Sequence, residues 1–89
     1  TEEQQQFRLA TMHVMAKANV YAAKDLLELY GLYKQATEGA CNTACPSMFK
    51  PTARSKWNAW QTLGAMTKGA AQSAYIEKLH QIDADWLDS

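Results

Sequence analysis

The chain contains little that would staple it, break it or charge it. Two cysteines, Cys41 and Cys45, in 89 residues are too few for a disulfide scaffold. A bridge between them would close a very short loop and constrain little of the unfolded chain, so both read as reduced thiols of an intracellular protein. The two histidines, His13 and His80, stand at no zinc-finger spacing from the cysteines, so neither a metal nor another cofactor is expected. His80, beside Gln81 and Lys78, reads as solvent-facing. There is no excess of either charge: nine Lys plus Arg balance nine Asp plus Glu. That argues against a general nucleic-acid or anionic-membrane binder. No apolar run approaches the length of a bilayer span, so stable membrane insertion is not expected. Polar, acidic Thr1–Gln6 does not read as a secretory signal. A chain that opens on Thr1 without a methionine implies processing, trimming or excision from something longer.

Catalytic signatures are lacking too. There is no HExxH, no GxSxG and no ordered Ser/His/Asp set, and no flanking His or Lys activates Cys41. The chain does not read as an enzyme. Glycine-rich phosphate loops are also missing, so any phosphate bound here would be held by side chains rather than by a backbone nest.

What is present is helical periodicity. The sequence is 47% hydrophobic and 10% aromatic, enough for a core. Residues 2–17 carry Phe7, Ala10, Thr11, Val14 and Met15 at helical spacing. Asn19 suits an N-cap for a second helix running to Glu38, with Gly39 able to take the left-handed C-cap conformation. Gly39 to Pro51 has no period and reads as a long loop, a feature that is usually functional in so small a domain. Thr52 suits the cap of a third helix bearing Trp57, Trp60 and Leu63 and ended by Gly64. Thr67 opens a fourth, with Ala71, Tyr75, Leu79, Ile82 and Trp86 in one stripe. Short links and no strand alternation predict an all-α four-helix bundle with a long loop between helices 2 and 3.

The second helix has two faces. Leu29, Leu32 and Ala36 form an inward stripe, while Tyr30, Tyr33, Lys34 and Thr37 share a neighbouring face at i, i+3, i+4 and i+7. On spacing alone, packed tyrosines and a lysine reaching water account for that face. The distribution of charge adds a second reading. Cys45 to Trp60 holds Lys50, Arg54 and Lys56 and no acid, whereas Glu77 to Ser89 holds four acids against Lys78. Such segregation suits a local anion site, with lysine supplying a compact cation and tyrosine a hydroxyl on a flat ring.

The run Leu29-Tyr30-Gly31-Leu32-Tyr33-Lys34-Gln35-Ala36-Thr37-Glu38-Gly39, with Lys56-Trp57-Asn58-Ala59-Trp60 and Ala74-Tyr75-Ile76, resembles the signature of the acyl-CoA-binding protein family. Asn42, Thr43, Pro46 and Met48 keep the family's loop spacing. The resemblance implies an up-down-down-up bundle, with residues 1–89 as a single acyl-CoA-binding domain. It implies a cytoplasmic, monomeric, non-catalytic carrier of medium- to long-chain fatty acyl-CoA esters that meets acyl-CoA-using enzymes transiently. By matching positions, Tyr30, Lys34 and Lys56 would hold the 3′-phosphate and adenine. Tyr33 and Tyr75 would line the nucleotide and acyl site, and the tail would run past Leu27 and Met48. Where many members carry a lysine late in helix 1, this sequence has Met15, with Lys17 nearby on a different face. The ending Asp83-Ala84-Asp85-Trp86 resembles versions found within larger proteins, so the alternative is an acyl-CoA-binding module that delivers substrate to, or regulates, an attached enzyme. A plain bundle that takes another helix in its groove is a third reading.

Overall fold

The computed structural model describes residues 1–88. The chain forms α1 (Glu2–Lys17), α2 (Ala23–Glu38), α3 (Pro51–Gln61) and α4 (Lys68–Ile82), with 3₁₀ turns at Ala18–Val20 and Trp86–Asp88. No strand occurs among the described residues, and the arrangement is the expected up-down-down-up four-helix bundle. Helix α2 is central. It packs on α4 and on α3, and α1 packs on α4. Phe7, Ala10 and Val14 from α1, Leu29, Leu32 and Ala36 from α2, and Ala71, Tyr75, Ile76 and Leu79 from α4 meet in one buried cluster.

Local chemistry opens α1, α3 and α4, and in four places the boundaries differ from those expected. Thr1 caps α1 in a reciprocal box with Gln4 that the sequence reading missed. Helix α2 does not start at Asn19. Residues 18–20 make a 3₁₀ turn, and Tyr21 and Ala22 are extended, with ψ of 150° and 146°. The reason lies across the molecule: the Tyr21 hydroxyl donates to Asp83 Oδ2 at 2.7 Å, which holds this corner out of helical geometry. Pro51 rather than Thr52 opens α3, because proline's fixed φ and missing N–H suit the first helical position. The same helix ends at Gln61, three residues before Gly64, which takes a φ of 61° in the turn that follows. Thr67 caps α4 through Ala70 N at 3.1 Å, as expected. That helix stops at Ile82, so Trp86 is not on its stripe, although Trp86 is buried against the core from its own 3₁₀ turn.

Two contacts fix how the helices sit. At Gly31 the α2 backbone lies so close to α3 that an added Cβ would stand 2.5 Å from the Ala59 carbonyl oxygen and 2.7 Å from its carbon. Buried Gln35, one turn further, donates to the carbonyls of Gly64 and Met66 at 2.9 and 2.7 Å, tying the α3–α4 turn to α2. On the outer side, Lys78 pairs with Asp25 at 2.9 Å and Glu28 at 3.3 Å.

At the far end, Asp83 gathers the links. It accepts from Tyr21, lies 3.0 Å from His13 Nε2, and faces Lys17 Nζ at 3.7 Å. The Tyr21 hydroxyl first, then His13, hold its carboxyl below the usual carboxylate range, while burial, reinforced by Asp83, pushes the Tyr21 phenol up. His80 is exposed, as expected, and its Nδ1 accepts from Trp86 Nε1 at 3.2 Å.

Two outcomes follow from these contacts. Gly31→Ala forces α2 and α3 apart against backbone, with an expected loss of about 1–3 kcal/mol in urea unfolding; an unchanged midpoint would show that the helices do not approach this closely. A carboxyl whose folded pKa lies below its unfolded value of about 4 stabilises the fold above that pH and loses the effect as pH falls through the folded value. Asp83→Asn is therefore expected to be less stable than the parent at neutral pH and to flatten the acid limb of the stability profile below about pH 5. Urea midpoints collected across pH check this, and parallel profiles would assign the acid limb to other carboxyls.

Candidate functional site

Three hollows open on the face shared by α1, α2 and α3, and Tyr30 borders all of them. The half-buried Tyr30 therefore acts as a common wall.

The first hollow is cationic. It encloses about 250 Å³ between Tyr30 and Lys34 of α2, Ala53, Lys56, Trp57 and Trp60 of α3, and Thr43 and Pro46 of the long loop. The close approach at Gly31 brings the two lysines to it from facing helices. Their aromatic contacts are reciprocal: Lys34 Nζ stands 5.0 Å from the Trp60 ring centroid and Lys56 Nζ 5.3 Å from that of Tyr30. Lys34 also pairs with Glu38 one turn along. That hydrogen bond raises the Lys34 pKa, so the ammonium is fully charged at neutral pH. The loop wall is pinned by indoles: Trp57 Nε1 donates to Thr43 O at 2.9 Å and Trp60 Nε1 to Gly39 O at 2.8 Å. Two ammonium groups on a floor of aromatic rings suit a phosphate held by side chains.

The second hollow is aromatic. It encloses about 280 Å³, lined by Thr11, Val14 and Met15 of α1, Leu26, Leu29, Tyr30 and Tyr33 of α2, and Tyr75 of α4. Phe7 sits behind it, stacked on Tyr33 at 6.2 Å and edge-on to Tyr75 at 5.2 Å. Tyr75 is buried, and that burial pushes its phenol up, so it remains a neutral hydroxyl. Stacked rings around a mostly apolar space suit a planar heterocycle.

The third hollow is aliphatic. It encloses about 360 Å³ between Ala23, Leu26, Leu27 and Tyr30 of α2 and Thr52, Ser55 and Lys56 of α3. This space suits a hydrocarbon chain.

Of the residues singled out in the sequence, Tyr30, Lys34 and Lys56 meet at the cationic hollow, Tyr33 and Tyr75 at the aromatic one, and Leu27 at the aliphatic one. Met48 stands apart from this grouping: it is 71% exposed at a turn of the loop and borders none of the three hollows. Met15 lies on the rim of the aromatic hollow, and Lys17 points to Asp83 instead, so α1 adds no cation here. Sequence reasoning missed Leu26, which borders two hollows, and the Thr11–Val14–Met15 face as lining. Both were accessible from spacing, since Leu26 precedes Tyr30 by four and Tyr33 by seven residues on one helix face. Both cysteines are free thiols, Cys45 exposed. No cluster of three metal-ligating side chains occurs among the described residues.

A family model described as "Acyl CoA binding protein" matches residues 4–79. Acyl-CoA-binding domain-containing protein 1 of Arabidopsis thaliana is 43% identical over 99% of this chain and 28% of its own length. Acyl-CoA-binding domain-containing protein 6 of Xenopus laevis is 42% identical over 97% of this chain and 31% of its own length. The chain thus spans under a third of these relatives. Among solved structures, Acyl-CoA-Binding Protein 2 of Oryza sativa superposes with a TM-score of 0.83 at 35% identity, covering 98% of this chain and 97% of that one. A protein of the same kind from Moniliophthora perniciosa superposes with a TM-score of 0.87 at 28% identity, covering 93% of this chain and 82% of that one.

Proposed function

The chain belongs to the acyl-CoA-binding protein family, and from that premise we propose that it is a non-catalytic binder and carrier of medium- to long-chain fatty acyl-CoA esters, with residues 1–89 as one acyl-CoA-binding domain. The observation that carries the reading is the convergence of Lys34 and Lys56 on one hollow beside Tyr30, with an aromatic and an aliphatic hollow to either side. A coenzyme A ester has the matching three parts. Its 3′-phosphate goes to the two ammonium groups and its adenine to the rings of Tyr30, Tyr33 and Tyr75. Its tail runs past Leu26 and Leu27. Charge-assisted hydrogen bonds are worth about 1.5–3 kcal/mol each, which is enough for the head group to set the pose. Each buried CH₂ adds at most about 0.8 kcal/mol, so the tail sets chain-length preference.

In this role the protein shields the thioester, keeps free ester low and forms a pool from which enzymes draw by transient contact, as a monomer in the cytosol. No helix among the described residues is long and apolar enough to cross a membrane. A second reading rests on the lengths of the relatives, of which this chain spans under a third: the same site would then serve a longer protein, delivering its ligand to an attached enzyme or partner.

Calorimetric titration with C8, C12 and C16 acyl-CoA is expected to give affinities that rise with chain length until the aliphatic hollow is filled; a flat series would refute the tail assignment. Lys34→Ala is expected to weaken acyl-CoA binding by about tenfold or more while barely changing affinity for an analogue without the 3′-phosphate. Equal losses for both ligands would remove Lys34 from the phosphate.

A further inference from the structure

Net neutrality conceals a division of the chain into two charge fields. Between Gly39 and Ile76 there is no Asp or Glu, and Lys50, Arg54, Lys56 and Lys68 lie in that stretch; the other five cations sit among all nine acids. At the tip of the basic segment, where the long loop meets α3, Phe49 is 86% exposed and its neighbour Met48 71% exposed. Single exposed apolar residues are ordinary. Two adjacent large ones on a loop, flanked by exposed cations, are not.

The tip is also held in place. Phe49 N donates to Ser47 Oγ at 3.1 Å and Lys50 N to Ser47 O at 3.0 Å, closing a turn. Arg54 stands one helical turn above Lys50, with its N–H on the Lys50 carbonyl at 3.0 Å, and the loop behind is fastened to α3 through Trp57 and Thr43. A fixed apolar point with two exposed cations beside it in the chain has the chemistry of an interfacial anchor, with the apolar part entering the acyl boundary and the cations meeting anionic headgroups.

We propose that the Met48–Phe49 turn, with Lys50 and Arg54, is a docking point for the surface of an anionic phospholipid bilayer. The contact is peripheral and reversible, because two side chains and two cations amount to a weak anchor. It needs no bound ligand, and so stands apart from the acyl-CoA reading. One consequence does join the two. Thr52 and Ser55, just beyond the tip, border the aliphatic hollow, so docking sets the rim of that hollow near the leaflet from which an acyl chain would leave.

The test is flotation of the full chain with vesicles of pure phosphatidylcholine and with vesicles containing about one-third phosphatidylserine. The parent protein should float with the anionic vesicles only, and the association should fall as ionic strength rises. Phe49→Ala should reduce it about tenfold, and Lys50→Glu with Arg54→Glu by about a hundredfold. Phe49→Ala should retain the parent's far-ultraviolet spectrum and its solution affinity for C12 acyl-CoA, because Phe49 borders none of the three hollows. No flotation of the parent, equal flotation with neutral vesicles, or flotation unaffected by Phe49→Ala would overturn the proposal. So would binding to polyglutamate as tight as to anionic vesicles, which would point to an acidic protein partner. Loss of acyl-CoA affinity in the parent itself would sink the carrier reading and leave docking standing.

Discussion

The structure turns on one missing side chain. Because position 31 lacks a Cβ, α2 can lie against the α3 backbone at Ala59, closer than two ordinary helices pack. That approach sets the site. Tyr30 and Lys34, immediately before Gly31 and one turn after it, are carried into reach of Lys56 and Trp60 on the facing helix. The resulting crossed pairs, each ammonium over the other helix's ring, place two like charges around a single hollow. The aromatic faces offset part of their repulsion, and Glu38 neutralises Lys34 from outside.

Much of this was legible in the residues. The inward stripes of α1, α2 and α4 follow from spacing, and Phe7, Ala10, Leu29, Leu32, Ala71 and Leu79 are buried as that spacing requires. The Tyr30–Tyr33–Lys34 face also followed from spacing. What escaped was whatever depended on a partner distant in the chain. Tyr21 breaks the start of α2 because of Asp83, sixty-two residues away, and no local propensity records that bond. Asn19 is a sound N-cap by type and goes unused for that reason. Pro51 displaced Thr52 on a local rule that was available and outweighed the hydroxyl cap. Met48 matched a family spacing, but spacing fixes position in the chain and not the direction in which a loop turn points its side chains.

The molecule divides its labour by end. Polar bonding that closes the chain, from Tyr21, His13 and Lys17 to Asp83, lies where α1 and α4 finish. The side with the three hollows is tied differently: the long loop is fastened by two indole N–H groups. The polar bonds at that end and the side chains of the hollows are thus largely separate sets, although Val14, Leu29 and Tyr75 serve the core and the aromatic hollow alike.

Tyr30 carries a further implication. A residue that borders all three hollows cannot be exchanged to retune one of them alone, because any replacement alters the cationic, aromatic and aliphatic spaces together. One hollow can be reshaped alone only at positions that border it and no other, such as Leu27 for the aliphatic space or Met15 for the aromatic one, while residue 30 answers to three at once.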